Sequence, residues 1–220
     1  MDEPSQLLRE IRTLVGSRWI SQAIYAATEL RILDALAGEK RTATQVADAV
    51  GADAGATARL LRALTTLGIV EAVGDGEFAL TPLGSLLCTD APESVRGSVM
   101  LTLGPPAWRA WGALVECVRT GDIAAKVLDG VDDPFSPFAT PEGERVFNQA
   151  MAEGTRRIAH AVAAAYDFTG ISTLVDVGGG YGALVPPVLA GHPAMTALVF
   201  DLPRCERGAM ELLDAAGAGD

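Results

Sequence analysis

The sequence contains 220 residues, of which 49% are hydrophobic, and it carries a formal net charge of −11. This length permits one large domain or two small ones, and the hydrophobic content permits a buried core. The negative charge argues against a nucleic-acid partner, because such binding depends largely on Lys and Arg side chains that neutralise phosphates. No apolar stretch approaches the roughly 18 residues that a membrane-spanning helix requires.

The cysteines and the first residues bear on the cellular compartment. Cys88, Cys117 and Cys205 are far apart and odd in number, which argues against a disulfide framework or a metal site. The acidic first residues differ from a secretory signal, which begins with basic residues and continues with apolar ones. We therefore expect free, largely buried thiols in a cytoplasmic protein without a metal or a membrane partner.

The first forty residues have the hydrophobic spacing of amphipathic helices. In the first stretch the apolar residues on one face are Leu7, Leu8, Ile11, Leu14 and Val15. A second stretch, from Trp19 to Leu36, continues the pattern. Such apolar faces are wide for helices at this position, and a partner subunit could cover them.

Residues 42–84 carry clear signals for two short helices. The capping-box spacing of Thr42 and Gln45 predicts the start of the first helix, and Gly51 predicts its end. Asp53 is placed to cap the second helix.

A β-hairpin is predicted directly after these two helices. Strands over 69–73 and 77–80 flank a Gly-Asp-Gly turn, and a further helix begins around Pro82. Helix, helix, hairpin is the order of a winged helix-turn-helix. A DNA-binding domain of this type should carry a row of basic residues on its second helix, but this helix contains only Arg59 and Arg62. We therefore favour packing and dimerisation over the alternative of a DNA-binding regulator.

Residues 98–165 are predicted to be helical with several breaks. Gly104–Pro106 interrupts one helix, Thr120 and Gly121 end the next, and Asp132–Pro137 forms a loop. A long amphipathic helix over 144–166 then leads directly into a different kind of structure.

The strongest functional signal is a glycine-rich loop after a short apolar strand. Leu174–Val177 predicts a buried parallel strand, and residues 178–182 read Gly-Gly-Gly-Tyr-Gly. An apolar helix and the strand Thr196–Phe200 complete a βαβ unit that ends at Asp201. Glycines let a cofactor approach the backbone closely, and a carboxylate at this strand end can accept hydrogen bonds from a ribose diol. The unit therefore predicts a nucleotide-cofactor site.

Two cofactors are compatible with this loop by spacing alone. Gly178, Gly180 and Ala183 also satisfy the looser dinucleotide pattern G-x-G-x-x-A. However, Asp176 precedes the first glycine by two positions, where nicotinamide sites usually carry an apolar side chain, and about 170 residues precede the unit. Both observations favour S-adenosylmethionine over NAD. A glycine turn without any ligand is the remaining alternative, although three consecutive glycines are costly in backbone entropy.

With these motifs the sequence resembles the class I S-adenosylmethionine-dependent small-molecule O-methyltransferases of plant phenylpropanoid and bacterial polyketide pathways. The segments that carry the resemblance are Arg59–Leu64, Gly68–Val70, Phe78–Pro82, Trp111–Gly121, Phe147–Met151, Tyr166–Phe168, Asp176–Gly182 and Phe200–Pro203. The resemblance implies a mainly α winged-helix dimerisation domain over 1–100. A helical linker with substrate-pocket helices would follow over 101–165, and the beginning of an α/β Rossmann-like methyltransferase domain over 166–220.

The resemblance also implies partners and site residues. The chain would form an intertwined homodimer through its N-terminal domain, and would transfer a methyl group from S-adenosylmethionine to a hydroxyl of a small aromatic or polyketide-like metabolite. The residues implied to bind the cofactor are Asp176, Gly178, Gly179, Gly180, Gly182, Asp201 and Leu202. Phe147 and Met151 are implied to line the acceptor pocket, and ordinary packing of a helix face is the alternative for both.

The sequence departs from the family pattern in two ways. It ends at Asp220, whereas the resemblance implies further strands, adenine contacts and a catalytic histidine that neither His160 nor His192 matches. We therefore assign no catalytic residue and expect an incomplete or split gene product, with a catalytically silent dimerising partner as the alternative. In addition, Pro186 and Pro187 lie early in the helix after the loop, so that helix begins late or has a distorted first turn.

Overall fold

The computed structural model describes residues 3–219 of the chain. The chain divides into two compact units, Met1–Gly104 and Pro105–Asp220. The predicted finer division of the second part, into a linker over 101–165 and a Rossmann-like domain over 166–220, stays a prediction. Among residues 3–219, no helix combines the length and the apolar character needed to cross a membrane.

The first unit consists of helices around a small antiparallel sheet. Its elements are α1 Glu3–Glu29, β1 Arg41–Thr42, α2 Ala43–Val50, α3 Ala54–Thr66, β2 Val70–Ala72, β3 Glu77–Leu80, α4 Pro82–Ser85 and α5 Arg96–Leu103. The strands lie in the order β1-β3-β2, with Val70 opposite Leu80 and Ala72 opposite Phe78. This arrangement confirms the predicted order of two helices and a hairpin.

The caps of α2 and α3 follow the sequence signals. The Thr42 side chain accepts a hydrogen bond from the Gln45 backbone N–H, and the Gln45 side chain accepts one from the Thr42 N–H. Gly51 ends α2 in the left-handed conformation, with a φ of 69°. The Asp53 carboxylate accepts a hydrogen bond from the Ala56 N–H at 2.7 Å. Because these contacts satisfy the free N–H groups at the helix starts, the predicted boundaries are confirmed.

The N-terminal residues form one continuous helix rather than two stretches. α1 runs from Glu3 to Glu29, and its predicted apolar face lies in solvent. Leu14 is 69% exposed and Trp19 is 67% exposed. The other exposed apolar residues of α1 are Leu7, Leu8, Ile11, Val15 and Ile20. We call these seven residues the α1 stripe. Single exposed apolar residues are ordinary on a protein surface, but seven of them along one helix are not.

The second unit combines helices with a two-stranded parallel sheet. Its elements are α6 Pro105–Gly112, α7 Leu114–Thr120, α8 Ala124–Asp129, α9 Pro141–Ala165, β4 Thr173–Val177, α10 Val185–Gly191, β5 Thr196–Phe200 and α11 Glu206–Ala215. The breaks predicted near residues 104 and 121 coincide with helix ends. α9 begins at Pro141 rather than at 144, because Thr140 caps it by accepting a hydrogen bond from the Gly143 N–H.

The parallel sheet pairs β4 with β5, in register from Thr173 opposite Thr196 to Val177 opposite Phe200. The face that carries Leu174 packs against a small core around Val188. The opposite face is apolar and open: its exposed residues are Val175, Val177, Leu198 and Phe200. Parallel sheets are normally covered on both faces, and no described residue provides this second cover.

For the helix that contains Pro186 and Pro187, the sequence left open a late start or a distorted first turn. The structure shows the late start. Helix α10 begins at Val185, with Pro186 and Pro187 in its first turn. Proline is tolerated there because the N–H groups of a first turn have no partner within the helix. The loop before α10 is therefore free to adopt its own geometry.

Candidate functional site

The glycine-rich loop turns the chain at the carboxyl end of the parallel sheet. The Gly178 N–H donates to the Phe200 carbonyl oxygen at 2.8 Å, which extends the β4–β5 pairing beyond β4. Gly178, Gly180 and Gly182 have φ values of 71°, 56° and 71°. These angles lie in the left-handed region that glycine adopts without a steric penalty. Glycine at these alternating positions therefore lets the loop make its sharp turn without backbone strain.

Gly179 is required for a different reason. A Cβ atom at this position would lie 2.7 Å from Oδ2 of Asp176 and 2.9 Å from Cγ1 of Val199. The loop backbone thus rests directly on both strands, and a side chain here would push it away from the sheet. Close approach to the chain's own sheet is a constraint that the sequence analysis had not considered.

The carboxylate of Asp201 holds the loop in place. Its Oδ2 accepts a hydrogen bond from the Gly180 N–H at 2.7 Å, and its Oδ1 accepts one from the Leu202 N–H at 2.7 Å. The Cys205 thiol also donates to Oδ1, with Sγ at 3.4 Å. Burial raises the pKa of this carboxyl, but the hydrogen bonds and the nearby Arg204 outweigh burial and lower the pKa below its usual value. Asp201 is therefore an ionised, well-oriented acceptor at neutral pH.

Asp176 lies beneath the loop, on the strand next to Asp201. Its pKa is raised, first by burial and then by the negative charge of Asp201. The negative charge of Asp176 is thus destabilised by its burial and by the second carboxylate at the same sheet edge. A cationic group at this edge would relieve the repulsion between the two carboxylates.

A cavity of about 340 Å³ opens in front of the loop. One wall consists of Gly178–Gly180, Asp201 and Leu202, and the other includes Phe147 and Met151 from α9. The structure thus brings most of the predicted cofactor residues together with both predicted acceptor residues. Asp176 and Gly182 do not line this cavity. Asp176 lies under the backbone of the loop, and Gly182 faces Val199 and Leu213 behind it.

Two aromatic residues that the sequence analysis did not single out complete the apolar wall. The Phe147 ring meets Phe135 edge-on, with ring centroids 5.8 Å apart, and Phe138 at 5.7 Å. Both partners lie just before α9 and line the cavity. Three of the six phenylalanines of the chain fall within residues 135–147, and this concentration was the available signal.

Polar residues between α9 and the end of β5 were also missed. Arg204 forms an ion pair with Glu144 of α9, with Nε 3.1 Å from Oε1. The Asn148 side-chain amide donates to the Glu144 carbonyl oxygen at 3.0 Å. Glu144, Asn148, Arg204 and Cys205 all line the cavity. They connect the helix of the apolar wall to the segment that carries Asp201.

Neither histidine reaches the cavity. His160 is exposed on α9. The His192 ring packs against Phe168, with centroids 5.6 Å apart, and both residues precede the strands, towards the end of the sheet opposite to the loop. The structure therefore assigns no role at the cavity to either residue, and the chemical capacity of the site lies in its acceptor carboxylate, open backbone and aromatic wall.

Comparison with known proteins identifies relatives along almost the whole chain. The phenazine O-methyltransferase PhzM of Lysobacter antibioticus is 34% identical over 94% of this chain and 60% of its own length. The O-demethylpuromycin-O-methyltransferase of Streptomyces alboniger is 38% identical over 96% of this chain and 56% of its own length. The structure of human N-acetylserotonin methyltransferase in complex with SAM matches with a TM-score of 0.82 and 28% identity, over 96% of this chain and 63% of that one. The chain thus spans about 60% of the length of the curated relatives it matches.

Two family models match separate parts of the sequence. The model of the O-methyltransferase dimerisation domain matches residues 13–90, and the model of the O-methyltransferase domain matches residues 111–219. The first match covers the winged-helix module, and the second covers the helices and the βαβ unit that form the cavity. The chain therefore belongs to the O-methyltransferase family, whose dimerisation domain its first part matches and whose O-methyltransferase domain its second part matches.

Proposed function

We propose that this chain binds S-adenosylmethionine at the glycine loop and Asp201, and that the protein methylates a hydroxyl group of a small aromatic metabolite held in the adjoining cavity. The observation that carries this proposal is the composition of that cavity. A glycine loop and an ionised carboxylate form one wall, and aromatic and thioether side chains form the other. The named activities of the phenazine and puromycin relatives support it, as does the SAM complex of the human relative.

The charges at the sheet edge suit this cofactor. S-adenosylmethionine carries a ribose diol and a positively charged sulfonium. When bound, it would supply the methyl group of that sulfonium. Asp201 is the proposed acceptor for the diol, because its carboxylate is ionised and lies at the cavity surface. Asp176 adds a second negative charge below Gly179, which favours a cation in the same place. The backbone of Gly178 and Gly180, which lines the cavity, gives the amino-acid end of the cofactor room to approach.

The opposite wall suits a planar acceptor. Phe147, supported edge-on by Phe135, offers a flat apolar surface, and Met151 offers a polarizable side chain one helical turn away. A flat acceptor between these side chains and the loop would place its hydroxyl next to the donor methyl group. Such alignment of the reacting atoms is a large part of the rate enhancement in bimolecular transfers. We assign no proton-accepting group among the described residues.

The α1 stripe supports a homodimer. A helix of 27 residues leaves seven large apolar side chains in solvent, and the dimerisation-domain model begins within it, at residue 13. We propose that a second copy of the chain covers the stripe, since burial of each such side chain contributes roughly 1.5–3 kcal/mol.

Replacing Asp201 with asparagine is expected to weaken S-adenosylmethionine binding at least about tenfold, because the amide retains one acceptor oxygen and loses the charge. Isothermal titration calorimetry of the chain with S-adenosylmethionine measures this, with one site per chain expected for the unmodified protein. Asp214→Asn, which removes an equal charge from exposed α11 outside the cavity, is the matched control. Absence of binding by the unmodified chain, or equal affinity of Asp201→Asn, would contradict the proposed site.

Replacing Asp176 with asparagine is expected to change stability and cofactor affinity in opposite directions. The raised pKa means that the folded state holds this proton more tightly than the unfolded state. The stabilisation from protonation is therefore complete below the unfolded pKa of about 4, and it is lost as the pH rises through the raised folded pKa. At pH 7, Asp176→Asn should thus unfold at a higher temperature than the unmodified chain, yet bind cationic S-adenosylmethionine more weakly.

The stability difference should shrink as the pH approaches 4, where the aspartate itself becomes neutral. Circular dichroism melts at both pH values provide the measurement. Asp201→Asn is the internal comparison, because the lowered pKa of Asp201 predicts a loss of stability at pH 7. A lower melting temperature of Asp176→Asn at pH 7 would show that burial and repulsion do not govern this residue.

Leu14→Glu is expected to weaken dimerisation at least about tenfold, because it places a charge within the α1 stripe. Sedimentation equilibrium measures the dissociation constant. Leu114→Glu makes the same replacement at an exposed leucine of α7, outside the α1 stripe, and should dimerise as the unmodified chain does. An unmodified chain that sediments as a monomer, or equal effects of the two variants, would argue against the stripe as the interface.

A further inference from the structure

The thiol of Cys205 lies between the Asp201 carboxylate and helix α9. Its Sγ is 3.4 Å from Oδ1 of Asp201 and 3.8 Å from Oδ1 of Asn148. Cys205 is 4% exposed and Asn148 is 9% exposed, so water does not compete freely for these contacts. The Asn148 amide nitrogen is engaged by the Glu144 carbonyl oxygen, which leaves its oxygen towards the thiol.

Cys205 is a hydrogen-bond donor in this environment and not a reactive nucleophile. Its pKa is raised, first by burial and then by the hydrogen bond and negative charge of Asp201. The thiol therefore keeps its proton at neutral pH. Because it has only one hydrogen, and the ionised Asp201 carboxylate is both closer and the stronger acceptor, that hydrogen points mainly at Asp201.

The three donors to Asp201 differ in what they can fix. The Leu202 N–H belongs to the next residue and moves with the carboxylate, and the Gly180 N–H belongs to the loop that the cofactor would approach. Cys205 is the buried side chain among them, at the end of the 3-10 turn Pro203–Cys205 and directly before α11. It is therefore the side-chain contact to Asp201 that does not involve the glycine loop.

We propose that Cys205 is a positioning residue that orients the Asp201 carboxylate towards the cavity by donating its thiol hydrogen, while its sulfur packs against Asn148 of the helix that carries the acceptor wall. This inference rests on the proposed function, since it assigns the oriented carboxylate to the ribose of the cofactor. Cys205 would thereby belong to the site without contacting the donor methyl carbon or the acceptor oxygen. The Arg204–Glu144 ion pair at 3.1 Å runs alongside and connects the same two segments.

Two replacements at Cys205 separate the hydrogen bond from packing. Cys205→Val keeps an apolar side chain of similar size but has no donor, whereas Cys205→Ser keeps a donor and loses apolar volume. If the hydrogen bond matters, the serine variant keeps the Asp201 pKa and the ligand affinity of the unmodified chain, and the valine variant does not. If only packing matters, the valine variant keeps them and the serine variant does not. Cys117→Val on α7 outside the cavity is the matched control for cysteine replacement.

The first measurement is the pKa of Asp201 in the free chain, from an NMR titration of carboxyl-labelled aspartates assigned with Asp201→Asn. The other charged groups near Asp201 are Asp176, Arg204 and, paired with Arg204, Glu144, and all remain unchanged in these variants. We expect the pKa of Asp201 to rise in Cys205→Val, because a hydrogen bond to the ionised form is lost, and to return in Cys205→Ser.

The second measurement is the affinity for S-adenosylhomocysteine by calorimetry at pH 7. We expect a loss of about fivefold in Cys205→Val, equivalent to one hydrogen bond, and restoration in Cys205→Ser. An unchanged Asp201 pKa in Cys205→Val, or tighter binding by the valine than by the serine variant, would overturn the inference. Failure of the unmodified chain to bind would instead overturn the proposed function, and the NMR titration would still decide the contact between Cys205 and Asp201.

Discussion

The hydrogen bond from the Gly180 N–H to the Asp201 carboxylate, 2.7 Å long, joins the ends of the two parallel strands. It exists because the pairing of Val177 with Phe200 brings both strands to the same edge, where the loop leaves β4 and the carboxylate leaves β5. The left-handed backbone of Gly180 turns the chain at this point. The same bond helps to keep Asp201 ionised. The position of the loop, the charge of the site and the wall of the cavity therefore all depend on it.

Much of the fold could be predicted because its signals are local. The Thr42–Gln45 box involves residues three positions apart, and the bounds of the strand Thr196–Phe200 follow from one apolar run. The start of α9 was placed too late because the cap at Thr140 was not considered. Strand β1 has only two residues and exists through its pairing with β3, so no local pattern marks it.

The candidate site could be predicted only in part. Its loop and carboxylate were found because few residue types satisfy the backbone angles and the acceptor role that a βαβ cofactor site requires. Phe135 and Phe138 were missed because their place on the wall depends on how the segment before α9 folds back on Phe147. The contact between Cys205 and Asn148 joins residues 57 positions apart, and it arises from tertiary packing that no spacing rule describes.

The central claim is that one cavity binds both the cofactor, at the Asp201 carboxylate, and the acceptor, at the aromatic wall. A crystal structure of the chain with S-adenosylhomocysteine tests it most directly. We predict that both ribose hydroxyls lie within hydrogen-bond distance of the Asp201 carboxylate, and that the sulfur faces the space beside Phe147 and Met151. Ligand bound elsewhere on the chain, or ribose hydroxyls without contact to Asp201, would contradict the account.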